Sequence, residues 1–501
     1  MAQVCGDKLE HLYDKLKQNK ASNRYPLHMP GHKRNMAGFP MEAFYEIDIT
    51  EIDGFDNLHA PEGILKEIMD RASSLYGAET YLLVNGSTGG ILSAISAAAR
   101  RGDCVLMARN CHRSAYHALY LNGCNARYIY PSFLETYGIC GGISPERMER
   151  MLAAYPDIRA VFLTSPTYDG VVSDVETIVE TAHARHIPVI VDEAHGAHFL
   201  MDNRFPRSAV DCGADIVIHS IHKTLPSLTQ TALLHVQGSL IDRGRLRRFL
   251  KIYQTSSPSY VLMAGIEQCI SILETEKKAL SDRFFLLNDR FEKKVRQLKH
   301  LKVFPAGSDG YGRRDRCRNE IGWEKEVFDF DPGKKIISVR GTDLTGQALY
   351  DLFLNQYKLQ MEMAGQDYAT AIMTVMDTEE GFERLADALA KIDAGLRAAP
   401  EEPCAETEKP SRQACCIETA MEAERRDVWL EDCTGEISSE FIYIYPPGVP
   451  LIAPGEQFSE AVKEQLMRYR KSGLTIEGMK ERNRKVSVLK DKIFERKDEI
   501  F

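Results

Sequence analysis

Short apolar runs alternate with helical stretches through the first half of the chain. Between about residues 61 and 240, runs such as CVLMA, AVFLT, PVIV and DIVIH are separated by segments whose apolar positions recur every three or four residues. Continuous apolar runs are typical of strands buried on both faces, and their alternation with helices favours a largely parallel sheet. The pattern predicts an α/β fold that binds its ligand at the carboxyl ends of the strands.

The pattern changes further along the chain. Residues 262–300 are expected to form one or two long helices, and three prolines with many charges at 398–413 predict a linker. We therefore expect five parts: an N-terminal segment at 1–60, a large domain at 61–300, a small α/β domain at 301–397, the linker at 398–413 and a C-terminal domain at 414–501.

Composition narrows the possible partners of this 501-residue chain. A formal net charge of −9 argues against nucleic acid or an anionic membrane as the main partner. We find no apolar run long enough to span a membrane, and the charged first 20 residues predict an amphipathic helix, not a signal peptide. The 12 cysteines are scattered and form no CxxC pair, so we expect free thiols in the cytoplasm.

A Ser-Thr-Gly cluster, NGSTGGI at residues 85–91, separates a predicted strand from a predicted helix. Backbone N–H groups at a helix start, with the hydroxyls of Ser87 and Thr88, suit a phosphate group. Serine and threonine are also the usual helix N-caps, so the cluster alone leaves both interpretations open.

Two charged residues follow neighbouring predicted strands. Asp192 comes directly after PVIV, and Lys223 follows DIVIHS 31 residues later. Lysine is rarely buried without a partner or a chemical role. A lysine for a Schiff base, a carboxylate for a pyridinium nitrogen and a phosphate anchor are together the parts of a pyridoxal phosphate site. A solvated lysine and an aspartate that caps a turn are the structural alternatives.

Other polar side chains follow two more of these strands. His112 follows CVLMA, where its imidazole could stack on a cofactor ring. Ser165, Thr167 and Tyr168 follow AVFLT, where they could approach the ring oxygen. A structural histidine and a Ser-Pro turn are the simpler explanations.

These motifs together resemble the ornithine/lysine/arginine decarboxylase family. The resemblance implies the pyridoxal-phosphate-dependent, aspartate-aminotransferase-like fold, with a mostly parallel seven-stranded sheet and small α/β C-terminal domains. It extends over nearly the whole chain and rests on these segments: PGHK (30–33), TEIDGFDNLHAP (50–61), NGSTGGI (85–91), RNCHRS (109–114), SPTYDG (165–170), DEAHGAH (192–198), SIHKTLPSLTQTA (220–232) and YPPGVPLIAPGE (445–456).

The resemblance also implies roles for individual residues. Lys223 would carry the cofactor, Asp192 would bond its pyridine nitrogen, and His195 would lie near the imine or the ring oxygen; these three are the predicted catalytic residues. His112 would stack on the ring. Four residues would hold the phosphate within one subunit: Ser87, Thr88, Ser220 and His222.

A second subunit is also implied. QTSSPSY at 254–260 resembles a segment that reaches the phosphate of the partner through Ser256 or Ser257, so a homodimer with shared sites is expected. Arg113 stands where the family usually has lysine, and it keeps the positive charge. The chain starts without the receiver-like domain of the large acid-inducible members, and therefore resembles the shorter biosynthetic type.

The implied reaction is decarboxylation of a basic L-amino acid in polyamine biosynthesis, with arginine favoured and lysine or ornithine next. Glu456 and Asp56 are the candidate acids for the cationic end of the substrate, although both could be surface or capping acids. Another pyridoxal phosphate enzyme, such as an aminotransferase that holds the substrate carboxylate through Arg340, is one alternative. A non-catalytic regulatory homologue is the other.

Overall fold

A computed structural model describes residues 25–27, 55–305, 327–401, 411–444, 448–471 and 476–491. The predicted N-terminal amphipathic helix, the PGHK motif and residues 402–410 of the predicted linker lie outside this part of the chain.

The helices of the described residues are α1 (Ile64–Tyr76), α2 (Gly86–Ala98), α3 (Arg113–Asn122), α4 (Pro145–Ala154), α5 (Val175–His183), α6 (Ile221–Thr224), α7 (Arg243–Tyr253), α8 (Tyr260–Val295), α9 (Gly346–Asn355), α10 (Glu379–Gly395), α11 (Ile417–Glu422) and α12 (Glu460–Lys471). None of these described helices is both long and apolar enough to cross a membrane.

The strands of the same residues are β1 (Tyr25–Leu27), β2 (Glu79–Leu83), β3 (Cys104–Ala108), β4 (Asn125–Ile129), β5 (Phe133–Leu134), β6 (Ile139–Cys140), β7 (Ile158–Thr164), β8 (Val171–Val172), β9 (Val189–Asp192), β10 (Ile216–His219), β11 (Ala232–Val236), β12 (Lys302–Phe304), β13 (Asp329–Phe330), β14 (Lys334–Ser338), β15 (Leu359–Met361), β16 (Met363–Ala364), β17 (Tyr368–Ile372), β18 (Arg425–Trp429), β19 (Ile442–Ile444), β20 (Val449–Ile452), β21 (Ile476–Glu477) and β22 (Lys485–Leu489).

A seven-stranded sheet forms the centre of the large region, in the order β2-β11-β10-β9-β7-β3-β4. The pairs from β10 to β4 are parallel, whereas β11 is antiparallel to both of its neighbours. Every residue of β3, β9 and β10 is buried, as their continuous apolar runs predict. The predicted mostly parallel seven-stranded sheet is confirmed.

One long helix and a second sheet follow the large sheet. Residues 260–295 form the single helix α8, which resolves the alternative between one and two helices. The four-stranded antiparallel sheet β12-β14-β17-β16 shares a hydrophobic core with α8 through residues such as Phe284, Ile337 and Ala371. The last described residues contain two small sheets, β18-β22 and β20-β19-β21, which pack around α12.

The C-terminal residues also pack on the large sheet. Ile417, Phe441 and Ala453 belong to the same buried cluster as the strands β3 and β7. Two ion pairs, Arg101–Glu418 and Arg109–Glu456, join the same two regions. The predicted boundaries at 300, 397 and 413 remain predictions.

Helix α2 lies very close to the large sheet. A Cβ atom at Gly90 would come within 2.6 Å of Leu83 Cδ1 and 3.2 Å of Ile218 Cγ2. Interiors have the packing density of organic crystals, so there is little free space for an added methyl group. The glycine therefore sets the distance between the first turns of α2 and the ends of β2 and β10.

We predict that Gly90→Ala lowers the free energy of unfolding by about 1–3 kcal/mol, because α2 must move away from the sheet. Chemical denaturation followed by circular dichroism measures the change. Gly395→Ala is the control, since a Cβ there meets no atom within 4 Å, and it is expected to leave stability unchanged or slightly higher. Equal stability of both variants would contradict the close packing of α2.

Candidate active site

Lys223 and Asp192 emerge at the same edge of the large sheet. The parallel register pairs Ile218 of β10 with Asp192, the last residue of β9. Beyond β10 the chain turns through Ser220 into the short helix α6, which carries Lys223. Because parallel strands end at a common edge, the structure brings the predicted lysine and carboxylate together.

The two groups influence each other electrostatically. Asp192 is buried, with 3% of its surface exposed, and accepts a hydrogen bond from the Ala194 backbone at 3.1 Å. Burial raises the pKa of Asp192, and the charge of Lys223 opposes that rise. Burial also lowers the pKa of Lys223, while Asp192 and Glu362 oppose that change. This edge therefore contains a carboxylate and an amine whose charge states depend on one another.

His195 lies between two lysine amines. Its Nε2 atom is 3.1 Å from Lys223 Nζ, and its Nδ1 atom is 2.7 Å from Lys334 Nζ. Burial and the neighbouring cations hold the pKa of His195 well below its ordinary value. The ring of Tyr168 packs edge-on against the imidazole, with 4.8 Å between the ring centroids. His195 is thus a neutral, fixed imidazole beside Lys223.

Two serines from different strand ends meet at the start of α2. The Ser220 hydroxyl donates to Ser87 Oγ at 2.8 Å. Asn85, at the N-cap of α2, makes no capping hydrogen bond through its side chain. The backbone N–H groups of the first turn, including that of the exposed Thr88, therefore have no intrahelical acceptor and suit an anion.

Two further histidines lie close to Lys223. His112 is the N-cap of α3, and its Nδ1 accepts from Ser114 Oγ at 2.8 Å and from the Ser114 backbone at 3.3 Å. Burial, with the charge of Lys223, lowers the pKa of His112 to about 3. His222 donates from Nδ1 to the Thr231 carbonyl at 2.8 Å, and burial lowers its pKa to about 4. Both imidazoles are therefore neutral near pH 7.

Ser256 and Ser257 follow helix α7 along the chain. They are exposed in the segment between α7 and α8. The guanidinium of Arg113 donates to the Tyr443 hydroxyl at 2.7 Å. Arg340 pairs with Asp367 at 2.9 Å in the small sheet region.

The two acids predicted for substrate binding have hydrogen-bond partners within the chain. Glu456 is 1% exposed, pairs with Arg109 Nη2 at 2.9 Å and accepts from Arg109 Nε and the Ala453 backbone. Asp56 accepts hydrogen bonds from the backbone N–H groups of Glu62, Gly63 and Lys66 at the start of α1. Both carboxylates thus take part in packing and helix capping within the described chain, and their contact with the substrate stays a prediction.

Sequence reasoning missed Lys334 and Glu362. Lys334 begins β14 and is fully buried, and Glu362 accepts a hydrogen bond from the Tyr168 hydroxyl. A signal for Lys334 was available, since KKIIS places two lysines inside an otherwise apolar strand. Glu362 stands in MEMA between two short strands and carries no comparable signal.

The donor set fits pyridoxal phosphate. It combines an amine for the aldehyde, a buried carboxylate for the pyridine nitrogen, and a serine pair with a helix start for the phosphate. Solved structures that this fold resembles include a lysine decarboxylase and an aminotransferase. Lysine decarboxylase A from Pseudomonas aeruginosa has a TM-score of 0.75 at 20% identity, with 95% of this chain and 80% of that chain covered. Ureidoglycine-glyoxylate aminotransferase from Bacillus subtilis has a TM-score of 0.51 at 13% identity, with 68% and 86% covered. The fold and the site define a pyridoxal-phosphate-dependent enzyme of the aminotransferase-like fold.

Sequence comparison identifies the family. Residues 10–351 match the model of the Orn/Lys/Arg decarboxylase major domain, and residues 403–478 match that of its C-terminal domain. The chain is 31% identical to an arginine decarboxylase of Bacillus subtilis (93% of this chain, 95% of the relative). It is 25% identical to lysine decarboxylase LdcA of Pseudomonas aeruginosa (90% and 74%). This chain belongs to the Orn/Lys/Arg decarboxylase family and is an amino-acid decarboxylase.

We predict that Glu456→Gln destabilises the protein and leaves KM for the substrate unchanged. Removing one partner of a buried ion pair leaves an uncompensated charge on Arg109, which costs about 3–5 kcal/mol. Denaturant titration and steady-state kinetics measure the two effects. Glu477→Gln is the control, because 41% of that side chain is exposed and its contact with Arg113 is 3.7 Å long. A stable Glu456→Gln enzyme with a much higher KM would contradict the structural role and place Glu456 in the substrate site.

Proposed function

We propose that this enzyme decarboxylates L-arginine to agmatine in polyamine biosynthesis. The observation that carries the proposal is the position of Lys223 beside Asp192 and His195 at the carboxyl edge of the sheet. Arginine is favoured over lysine because the arginine decarboxylase of Bacillus subtilis is the more similar relative in sequence.

Lys223 would carry the cofactor, and Asp192 would hold a proton at its pyridine nitrogen. Bound pyridoxal phosphate supplies an electron-accepting ring that is conjugated to the substrate α-carbon. Asp192 suits its role because it is buried, so its interaction with a positive ring nitrogen is poorly screened by water.

The neutral imidazoles would position the ring. His112 would lie against one face of it, held by its hydrogen bonds to Ser114. Ser87, Ser220 and the N-terminus of α2 would hold the phosphate, with Thr88 and His222 at its border.

Lys223 and His195 are the groups that would return a proton to the substrate α-carbon after carbon dioxide leaves. They lie 3.1 Å apart, so either group can exchange a proton with the other. Tight binding of the α-carboxylate would not lower the barrier, since ground-state binding is not transition-state stabilisation. Arg340, which an aminotransferase would need for that carboxylate, pairs with Asp367 instead.

We infer a homodimer with shared sites. Phe55 and Ile252 are 47% and 60% exposed, and their segments are joined by a 2.8 Å hydrogen bond between His59 Nε2 and the Thr255 carbonyl. Ser256 and Ser257 belong to the same surface. We propose that these exposed apolar side chains meet the partner subunit, which would direct the two serines towards its phosphate.

The cytoplasm is the proposed location. The nine cysteines of the described residues are all free thiols, which is typical of proteins in a reducing compartment.

We predict that Lys223→Met abolishes the visible absorption band of the purified holoenzyme and its release of carbon dioxide from arginine. Asp192→Asn should retain the band and lower kcat by about 100-fold or more, because a preorganised charge is lost at the ring nitrogen. The assay compares arginine, lysine and ornithine in parallel, and arginine is expected to have the highest kcat/KM.

Lys391→Met is the control for the lysine substitution, since Lys391 is exposed on α10. A visible band that survives in Lys223→Met would refute the role of Lys223. A higher kcat/KM for lysine or ornithine would refute arginine as the substrate while leaving the role of Lys223 intact.

We predict that two defective variants complement each other. In a mixed dimer of Lys223→Met with the double variant Ser256→Ala/Ser257→Ala, one of the two sites contains every native residue. Refolding the two together in equal amounts should restore about a quarter of the wild-type activity, because half of the dimers are mixed and half of their sites are intact. Each variant refolded alone is the control, and no gain on mixing would rule out shared sites.

A further inference from the structure

The C-terminal residues bind both ends of the short segment between β3 and α3. Residues 109–113 form this segment. Arg109 at its start donates from Nη1 to the Pro450 carbonyl at 2.6 Å. Arg113 at its end donates from its backbone N–H to the Gly448 carbonyl at 3.2 Å. The proposed chemistry uses neither contact, so both call for an explanation.

The Arg109 end of the segment is a buried structural contact. Arg109 is 5% exposed, and its guanidinium also donates to the Tyr116 hydroxyl at 2.9 Å and pairs with Glu456 at 2.9 Å. The Tyr116 hydroxyl in turn donates to the Arg109 carbonyl at 2.6 Å. A buried charge needs such partners, so a substitution here would disturb the core as well as the site.

The Arg113 end is a contact of a different kind. The Arg113 side chain is 34% exposed, and its guanidinium donates to the Tyr443 hydroxyl at 2.7 Å and lies over the Tyr443 ring, 5.4 Å from the centroid. Tyr443 belongs to β19 of the C-terminal sheet. A partly exposed contact adds little to global stability. A substitution at Arg113 can therefore loosen the segment locally while the rest of the protein stays folded.

His112 lies directly before Arg113, and its imidazole is bound to the same helical turn. Its Nδ1 atom accepts hydrogen bonds from the Ser114 hydroxyl at 2.8 Å and the Ser114 backbone at 3.3 Å. Its carbonyl accepts from the Ala115 backbone N–H at 3.0 Å. The contacts of Arg113 that fix the first turn of α3 therefore also fix the position of the His112 imidazole.

We propose that Arg113 is a positioning residue that binds Tyr443, holds the first turn of α3, and thereby keeps the His112 imidazole in place for the cofactor ring. This inference rests on the proposed function, in which His112 lies against one face of that ring. Contacts between flat rings depend on their orientation and separation, so a small movement of α3 is enough to weaken them. The C-terminal residues thus contribute to the site by fixing a side chain that they do not carry.

Amide hydrogen exchange of the full-length enzyme freed of pyridoxal phosphate tests the first step. The peptide that covers residues 109–116 contains hydrogen-bonded N–H groups, whose exchange requires local opening. Mass spectrometry of Arg113→Met is expected to show exchange about fivefold faster in this peptide, with unchanged protection of the β3 peptide. Unchanged exchange at 109–116 would overturn the proposal. An equal loss of protection in β3 would show general destabilisation, which also overturns it.

Tyr443→Leu removes the same contact from the C-terminal side. It keeps the test available if Arg113→Met does not fold, and it should also speed the exchange of the 109–116 peptide. The double variant Arg113→Met/Tyr443→Leu should differ little from either single variant, since each substitution removes the same contact. Fully additive effects would show that the two residues act independently, contrary to the proposal.

Arg101→Met is the matched control. Arg101 pairs with Glu418 at 2.7 Å and so also joins the large region to the C-terminal residues. It precedes the start of β3, whereas residues 109–113 follow the end of that strand. Its loss should leave the exchange of the 109–116 peptide unchanged. If Arg101→Met speeds that exchange as much as Arg113→Met does, Arg113 acts only by attaching the C-terminal residues, and the proposal fails.

Visible circular dichroism of the holoenzyme tests the second step. Pyridoxal phosphate is achiral, so the dichroism of its absorption band reports the contacts that the protein makes with the ring. His112→Ala is expected to change this signal. Arg113→Met should change it in the same direction and lower kcat about tenfold, with KM altered less than about twofold.

The double variant His112→Ala/Arg113→Met shows whether the effect passes through the imidazole. Arg113→Met should have little further effect on kcat or dichroism once His112 is absent. A full further effect would mean that Arg113 acts by another route, and the proposal would be wrong.

His112→Ala alone distinguishes the two levels of the argument. If it leaves both dichroism and kcat unchanged, the proposed role of His112 is refuted and the inference about Arg113 fails with it. If it changes both while Arg113→Met changes neither, only the role of Arg113 is refuted.

Discussion

The site depends on a lysine amine and a carboxylate that are buried next to each other, away from water. Asp192 is almost fully buried at the end of β9, and Lys223 follows the end of β10 in the adjacent parallel strand. Isolated charges in such a place are costly, so each requires compensation from the other or from a hydrogen bond. His195 contacts Lys223 through Nε2 and Lys334 through Nδ1, which connects the pair to the small sheet.

The rest of the fold serves this arrangement by close packing. Helix α2 approaches the sheet through Gly90, which brings its first turn next to the strand end that carries Ser220. The buried pair of Arg109 and Glu456 ties the C-terminal residues to the large sheet. Both features fix the positions of the backbone segments that carry the polar side chains of the site. The distances between these side chains are therefore fixed as well.

The decarboxylase family shares its fold with aminotransferases, so the chemistry depends on which groups surround the lysine. Here a neutral imidazole separates Lys223 from a second buried amine, and Arg340 pairs with Asp367. In the proposed function such an amine would move protons near the substrate α-carbon, whereas decarboxylation would require no tight clamp on the departing carboxylate.

The order of apolar runs by itself determined the parallel sheet, because strands buried on both faces need continuous apolar residues. It also placed Asp192 and Lys223 at strand ends, where α/β sheets bind ligands. Only the tertiary structure decided the partners of Glu456 and Lys334, since Arg109 lies 347 residues and His195 139 residues away along the chain. Such contacts depend on how distant elements pack, and a local pattern carries no information about that.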